Sequence, residues 1–405
     1  MPIPLQRDCY DSDHEIFRDS VRSFFERSLV PNIERFEEQR EVDREFWNSC
    51  GKAGLLCPTV PEEYGGLGLD FRYNAVVTEE LAYLGSSASI PLQSDIVADY
   101  FVDYGSEEQK RRYLPGMIDG SIVAAIAMTE PGAGSDLKGI KTVARRDGGD
   151  WRISGSKTYI TSGKHCDVVI VMAKTDPQMG ARGMSLFLVD ADTPGFSKGR
   201  KLDKIGQHTA DTSELFFDDV RVPASQLLGE EGQGFIQIMK LIPQERLSQT
   251  IMAQAGAQRA FDEAVNFAAG RSMFGSRLLD MQNTRFTLAD HAAHLQVGWA
   301  HLDRCINRMA NHALTTEEAC AAKLWHTEMQ WRITDECLQL HGGAGYMNEY
   351  TIARLWRDAR VQRIYGGTSE GVKEVIGRNL VAGGQLAAAD FFGTPGRASV
   401  SRLRR

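Results

Sequence analysis

The sequence predicts an α+β chain, mostly α, built as an N-terminal helical domain, a central antiparallel β domain and a C-terminal helical domain. Apolar residues recur at helical spacing on both sides of the middle of the chain, and the middle itself breaks into short apolar or alternating runs separated by turn residues. Hardly any helical pattern lies between those runs, which points to an antiparallel sheet rather than a βαβ array. A chain of 405 residues is also longer than one hydrophobic core usually grows. The expected domains are 1–120, 121–232 and 233–382, with a flexible tail over 383–405.

In the first domain, Ser12 with Glu15 matches a capping box, and Phe17, Val21 and Phe24 follow at helical spacing until Pro31 stops the helix. A second box is predicted at Ser106 with Gln109, and the glycine-rich Pro61–Gly68 segment between them is predicted to be a loop. The β domain is expected from Ile122–Met128, Trp151–Ile160, Val168–Ala173, Met184–Val189 and Glu214–Val222, with a turn at Asp147-Gly-Gly-Asp150. Long helical patterns return from Gln233 to about Leu380. One opens at a Thr315/Glu318 capping box, runs to Leu340 and is broken by His341-Gly-Gly-Ala-Gly345. Val381–Arg405 has little periodicity and is expected to be frayed or loosely docked, and no repeat recurs at a fixed period.

Hydrophobic residues at 42% and charged residues at 25% are those of an ordinary soluble globular protein, and a net charge of -8 argues against nucleic-acid binding. Seven scattered cysteines without a C-x-x-C pair are expected to be reduced thiols that fill the core. The start MPIPLQRDCYDSD has neither a basic opening nor an apolar run, and no stretch approaches the ~18 apolar residues of a membrane span. A cytoplasmic protein without membrane insertion is the expectation.

Several motifs fail on chemistry. Gly132-Ala-Gly134 would need a third glycine at Leu137 to be a dinucleotide fingerprint, and it lies in the β region. Gly155-Ser-Lys-Thr158 has Ser156 where a phosphate loop needs glycine before lysine. Gly367-Thr-Ser369-Glu-Gly371 satisfies G-x-S-x-G after the apolar run Val361–Tyr365, but a hydrolase needs its histidine after the serine and the last one is His341. His291, His294 and His301 lie at helical spacing without a further ligand at a recognised distance, so no metal is expected.

Ala127-Met-Thr-Glu-Pro-Gly-Ala-Gly-Ser-Asp136 makes sense as a strand ending in a turn whose free backbone N–H groups and Thr129 and Ser135 hydroxyls serve polar ligand atoms. Together with Gln339-Leu-His-Gly-Gly-Ala-Gly-Tyr346 and Ile364-Tyr-Gly-Gly-Thr-Ser-Glu370, in this order, it resembles the acyl-CoA dehydrogenase family from about residue 12 to residue 380. The resemblance implies a four-helix bundle in the C-terminal domain, FAD as cofactor, an acyl-CoA substrate, an electron-transfer flavoprotein as partner and a homo-oligomer, by preference a tetramer. It implies Met128, Thr129, Tyr159, Thr161, Thr368 and Glu370 around the flavin, and Ser135 against both FAD and the CoA portion. Arg271, Phe274, Gln282, Gln339, Gly342 and Gly343 would reach the FAD of a neighbouring subunit, where the planar fork of an arginine suits a pyrophosphate.

Oxidising a thioester between Cα and Cβ needs a base near Cα, an electron sink near Cβ and donors for the thioester oxygen. Many family members carry the base as the glutamate of Y-E-G-T, a position that is Gly366 here. The branch resembling long-chain and isovaleryl dehydrogenases carries it on a helix instead, the long-chain type within P-Q-E-R-L. This chain has Pro243-Gln-Glu-Arg-Leu247. Glu245 is therefore the expected base, with Gly366 leaving room for its carboxylate and donating its N–H to the thioester oxygen. Arg246 and Gly367 are expected at the substrate. Burial against the acyl chain and flavin is expected to raise the pKa of Glu245 as substrate binds, with Arg246 opposing part of the shift. Gly371, Pro243 and Gln207 depart from the family pattern. An oxidase of the same fold and a catalytically silent acyl-CoA-binding protein are the alternatives.

Overall fold

A computed structural model describes residues 7–382, so the expected tail lies outside the described residues. Six helices come first: α1 (Ser12–Ser28), α2 (Ile33–Gln39), α3 (Arg44–Lys52), α4 (Phe71–Tyr83), α5 (Ala98–Tyr104) and α6 (Glu107–Asp119). The cap of α1 sits one residue before the expected one. The Asp11 carboxylate accepts the N–H groups of Asp13 and His14, and the His14 ring closes the box in place of a glutamate. An aspartate caps as well as a serine and adds negative charge at the positive helix end, so Asp11 wins over Ser12. The Ser106/Gln109 box forms as expected. Before α5, Leu92–Val97 winds as a π-helical turn, a rare form that re-aims side chains and recurs at functional sites.

The sheet contains β1 (Ala124–Ala127), β2 (Val143–Asp147), β3 (Asp150–Thr161), β4 (Val168–Lys174), β5 (Met184–Asp190), β6 (Phe196–Lys201), β7 (Thr212–Pro223) and β8 (Leu227–Leu228). Its order is β6-β7-β3-β2-β4-β5-β8, with β1 beside β4. Most neighbours are antiparallel, and the Asp147–Asp150 turn joins β2 to β3 as a hairpin. Two pairings depart from the antiparallel pattern, however. β1 runs parallel to β4, Ala124 opposite Val168, and β2 meets β4 in parallel at Val143 and Lys174. The β2–β3 hairpin lies between β1 and β4 in sequence and supplies the crossover that a parallel pair requires. The continuous apolar run of β4 is explained by burial on both faces. Ile170 and Met172 join a core with Phe25, Trp47 and Leu114 of the helices, while Val169 and Val171 pack with Trp151, Phe187 and Val189.

The C-terminal part consists of α7 (Gly234–Gly270), a small hairpin of β9 (Ser272–Met273) and β10 (Ser276–Arg277), α8 (Gln282–Ala310), α9 (Thr316–His341), α10 (Thr351–Ala359) and α11 (Ser369–Ala382). Alanines along α7, including Ala255, Ala257, Ala260 and Ala264, let α8 and α9 approach closely around Leu288, Leu295, Leu302 and Ile333. The Thr315/Glu318 box opens α9, and Gly342 ends it at φ 58°. All seven cysteines are buried and none is disulfide-bonded. Among the described residues, no helix is long and apolar enough to cross a membrane.

Candidate active site

Glu245 opens the fourth turn of α7, just after Pro243, which has no N–H for the helix ladder. It is half-buried, and its carboxylate makes no hydrogen bond or ion pair with any described residue. Burial pushes its pKa above the usual carboxylate range, and the charges of Arg246 and of Lys323 on α9 pull it part of the way back. Tyr100 of α5 and Tyr365 also stand close enough to feel the carboxylate: burial raises both phenols, and Glu245 adds to the rise. A carboxylate without a partner, among two cations and two phenols, is poised to accept a proton.

The Tyr365–Thr368 loop faces this carboxylate from the other side. Gly366 and Gly367 both take left-handed conformations, φ 61° and 100°, which side-chain-bearing residues rarely adopt. Their carbonyls are held from the helices: Arg246 Nε donates to Gly366 O at 3.4 Å, and Lys323 Nζ donates to Gly367 O. The space beside Gly366 is not open to Glu245, which corrects the expectation. A Cβ on residue 366 would fall 2.0 Å from the amide of Gln249, so Gln249 fills that volume. Gln249 is buried one helical turn beyond Glu245, and its Oε1 has no hydrogen-bond partner. Thr368 Oγ1 accepts the N–H of Gly371 at 3.0 Å and caps α11. Ser369 donates to Glu328 at 2.6 Å, and the run before it forms a 3-10 turn instead of a strand, so a nucleophile elbow is absent there. Gln207 binds the Tyr365 hydroxyl at 3.1 Å and fastens the β domain to this loop.

On the sheet side, β1 leads through Met128 and Thr129 into the Glu130–Ser135 turn, and Thr158 N donates to Thr129 O at 3.0 Å. A buried pair that the sequence reading missed anchors the turn. Lys157 of β3 donates to Glu130 at 2.9 Å and to Met128 O at 3.0 Å. Burial pulls Lys157 down to about 8 against the attraction of Glu130. Burial disfavours the charge of Glu130, yet Thr142 and Lys157 hold its carboxyl below the usual range. Its sole sequence signal was the lysine of the rejected Gly155–Thr158 motif. Gly132 and Gly134 would meet no atom within 4 Å with an added Cβ, and the N–H groups of Gly134 and Ser135 have no partner among the described residues. Tyr159, at φ 59° and 69% exposed, projects beside half-buried Thr161. An open turn with free donors next to an outward-facing ring and hydroxyls fits a flat, polar-edged ligand.

The remaining expected residues lie elsewhere. Arg271 follows the end of α7, Phe274 tips the β9–β10 hairpin at 92% exposure, Gln282 opens α8, and Gln339, Gly342 and Gly343 mark the end of α9. About 26 residues of α7 separate Arg271 from Glu245, ~39 Å at the rise of an α-helix. One chain therefore does not bring the two groups together. Glu370 is exposed in the first turn of α11. Among the described residues, no group of three His, Cys, Asp or Glu side chains is placed to hold a metal.

Models of the acyl-CoA dehydrogenase N-terminal, middle and C-terminal domains match residues 11–121, 125–220 and 232–381. The chain is 47% identical to the mitochondrial long-chain specific acyl-CoA dehydrogenase of Sus scrofa, over 93% of this chain and 88% of that protein. The crystal structure of an acyl-CoA dehydrogenase from Geobacillus kaustophilus superposes with a TM-score of 0.91 at 45% identity, covering 93% of this chain and 100% of that one. A Mycobacterium smegmatis glutaryl-CoA dehydrogenase in complex with FADH2 superposes at 0.84 with 29% identity, covering 92% and 96%. With all three domains matched in order and the fold shared throughout, this chain belongs to the acyl-CoA dehydrogenase family of oxidoreductases.

Proposed function

We propose that the chain uses FAD to convert an acyl-CoA thioester to its trans-2-enoyl-CoA and passes the electrons to an electron-transfer flavoprotein. The observation that carries this reading is the partnerless Glu245 carboxylate opposite the Gly366–Gly367 loop. Glu245 takes the α-proton, and the Gly366 N–H donates to the thioester oxygen as the electron pair of the broken C–H bond moves toward it. FAD, when bound, accepts the hydride that leaves Cβ. Met128, Thr129, Tyr159, Thr161, Thr368 and Glu370 would hold its ring system, and Ser135 would serve FAD and the pantetheine arm. Arg246 and Gly367 line the thioester side. Arg271, Phe274, Gln282, Gln339, Gly342 and Gly343 would serve the pyrophosphate and adenosine of a second subunit's FAD, which their distance from Glu245 supports.

The test is an anaerobic titration of the yellow protein with a panel of acyl-CoA thioesters. Flavin bleaching by at least one of them is expected, and absence of bleaching across the panel would leave a silent binder. Dye or flavoprotein reduction without oxygen consumption separates a dehydrogenase from an oxidase.

A further inference from the structure

The scheme above leaves Lys323 without a task. Lys323 lies on α9 and has 0% exposure, an unusual place for an ammonium. Among the described residues, its ammonium makes one hydrogen bond, to Gly367 O, and no carboxylate comes within ion-pair distance of it. A buried cation without a counter-ion is costly, so the fold bears this cost at the one loop that faces the base. Arg246 meets the same loop one residue earlier, at Gly366 O, and is itself bound to Cys320 Sγ at 3.0 Å. The two cations thus grip adjacent carbonyls and fix the orientation of the peptide groups between them.

Four groups face Glu245: Arg246 from its own helix, Lys323 from α9, Tyr100 from α5 and Tyr365 from the loop. The groups around Lys323 are Arg246, Glu245, Cys320 and Glu328. Burial pulls the lysine down to about 8, so most of its charge is present at neutral pH.

We propose that Lys323 is a positioning residue for α-proton removal: it holds the Gly367 carbonyl so that the Gly366 N–H meets the thioester oxygen, and its charge favours the carboxylate form of Glu245. The proposal rests on the reading of Glu245 as the base. In the step it serves, the Cα–H bond breaks, the proton goes to a Glu245 oxygen, and the electron pair shifts onto the thioester. In deuterated water the reversal of this step returns a deuteron to Cα, which makes it measurable without oxidation.

The experiment uses the full-length, FAD-loaded enzyme and an acyl-CoA analogue with sulfur in place of Cβ, which cannot be dehydrogenated. Solvent-deuterium exchange at Cα is followed against pH for wild type, Lys323→Met, Lys323→Gln and Lys323→Arg, alongside analogue affinity and flavin content. The neutral variants are expected to exchange ~10–100-fold more slowly at neutral pH, less than the roughly 10²–10³-fold cost of removing an oxyanion donor outright, because here the donor is displaced and not lost. Their acid limb is expected to move to higher pH by about one unit, because a neighbouring cation lowers a carboxylate pKa and its loss raises it. Analogue affinity should change less than about threefold, as the interaction acts on the reacting step rather than on binding. Lys323→Arg should keep the acid limb at its wild-type position.

An unmoved limb in both neutral variants overturns the proposal. So does failure of both to fold or hold flavin while the arginine variant does, which would make the lysine purely structural. Glu245→Gln in the same assay separates the two readings. Persisting exchange there removes Glu245 as base, whereas abolished exchange with an unmoved limb in the lysine variants removes only the role of Lys323.

Discussion

At Glu245 the fold accepts a carboxylate that packing alone would reject, since its pKa is raised chiefly by burial. A carboxylate whose folded pKa lies above its unfolded value contributes stability below the unfolded pKa and loses it as pH rises through the folded one. Glu245→Gln should therefore melt higher than wild type at pH 8 and about equally at pH 4, while retaining FAD and losing flavin bleaching by acyl-CoA. Calorimetry at the two pH values, with a flavin spectrum, checks both halves. Gly366 gives a second prediction. Gly366→Ala meets a left-handed backbone and the Gln249 amide 2.0 Å away, and is expected to cost roughly 2–4 kcal/mol in denaturant unfolding. Combining it with Gln249→Ala should recover the steric part, and strict additivity of the two substitutions would count against the overlap. The Pro-Gln-Glu-Arg-Leu setting singled out Glu245 in the sequence, and the fold half-buries it without a partner among the described residues. Gln249, Lys323 and Lys157 were not, because a polar residue at a helix or strand position looks like a solvated face until tertiary packing buries it.

Among the elements, those defined by local chemistry were readable and those defined by partners were not. The Ser106 and Thr315 boxes and the apolar β4 and β5 follow from their own residues. β2 and β6, Val-Ala-Arg-Arg-Asp and Phe-Ser-Lys-Gly-Arg-Lys, are too basic to show a strand pattern and exist because β3 and β7 offer an edge to pair with. The π-helical turn before α5 left no sequence trace, yet it carries Asp95 into contact with α4 and α7. There Asp95 accepts from Thr78 at 3.0 Å and Ser248 at 2.6 Å, and burial raises its pKa to about 7. By the same sign rule, its contribution is present below the usual aspartate range and lost as pH climbs through about 7. Asp95→Asn should stabilise the protein by about 1 kcal/mol at pH 5 and by roughly 4 kcal/mol at pH 9, measured as the shift in denaturant midpoint. Equal effects at both pH values would mean that Asp95 stays ionised throughout.

In the whole molecule, the length of α7 is the quantity that matters. It places the Arg271 group ~39 Å from Glu245, beyond the reach of a single dinucleotide cofactor folded over one chain's catalytic loop. If a neighbouring subunit supplies Arg271 to the site that holds Glu245, two inactive variants should complement each other. A chain carrying Arg271→Gln retains Glu245, and one carrying Glu245→Gln retains Arg271, so a mixed pair builds one site with both residues intact. Random pairing of equal amounts should restore roughly a quarter of wild-type flavin bleaching per chain, since half the pairs are mixed and each has one competent site of two. Each variant alone must be nearly inactive for the measurement to decide. Co-expression with two affinity tags isolates the mixed species. If that species shows no activity above the sum of its parents, Arg271 and Glu245 do not meet across an interface, and the exposed end of α7 serves some other purpose.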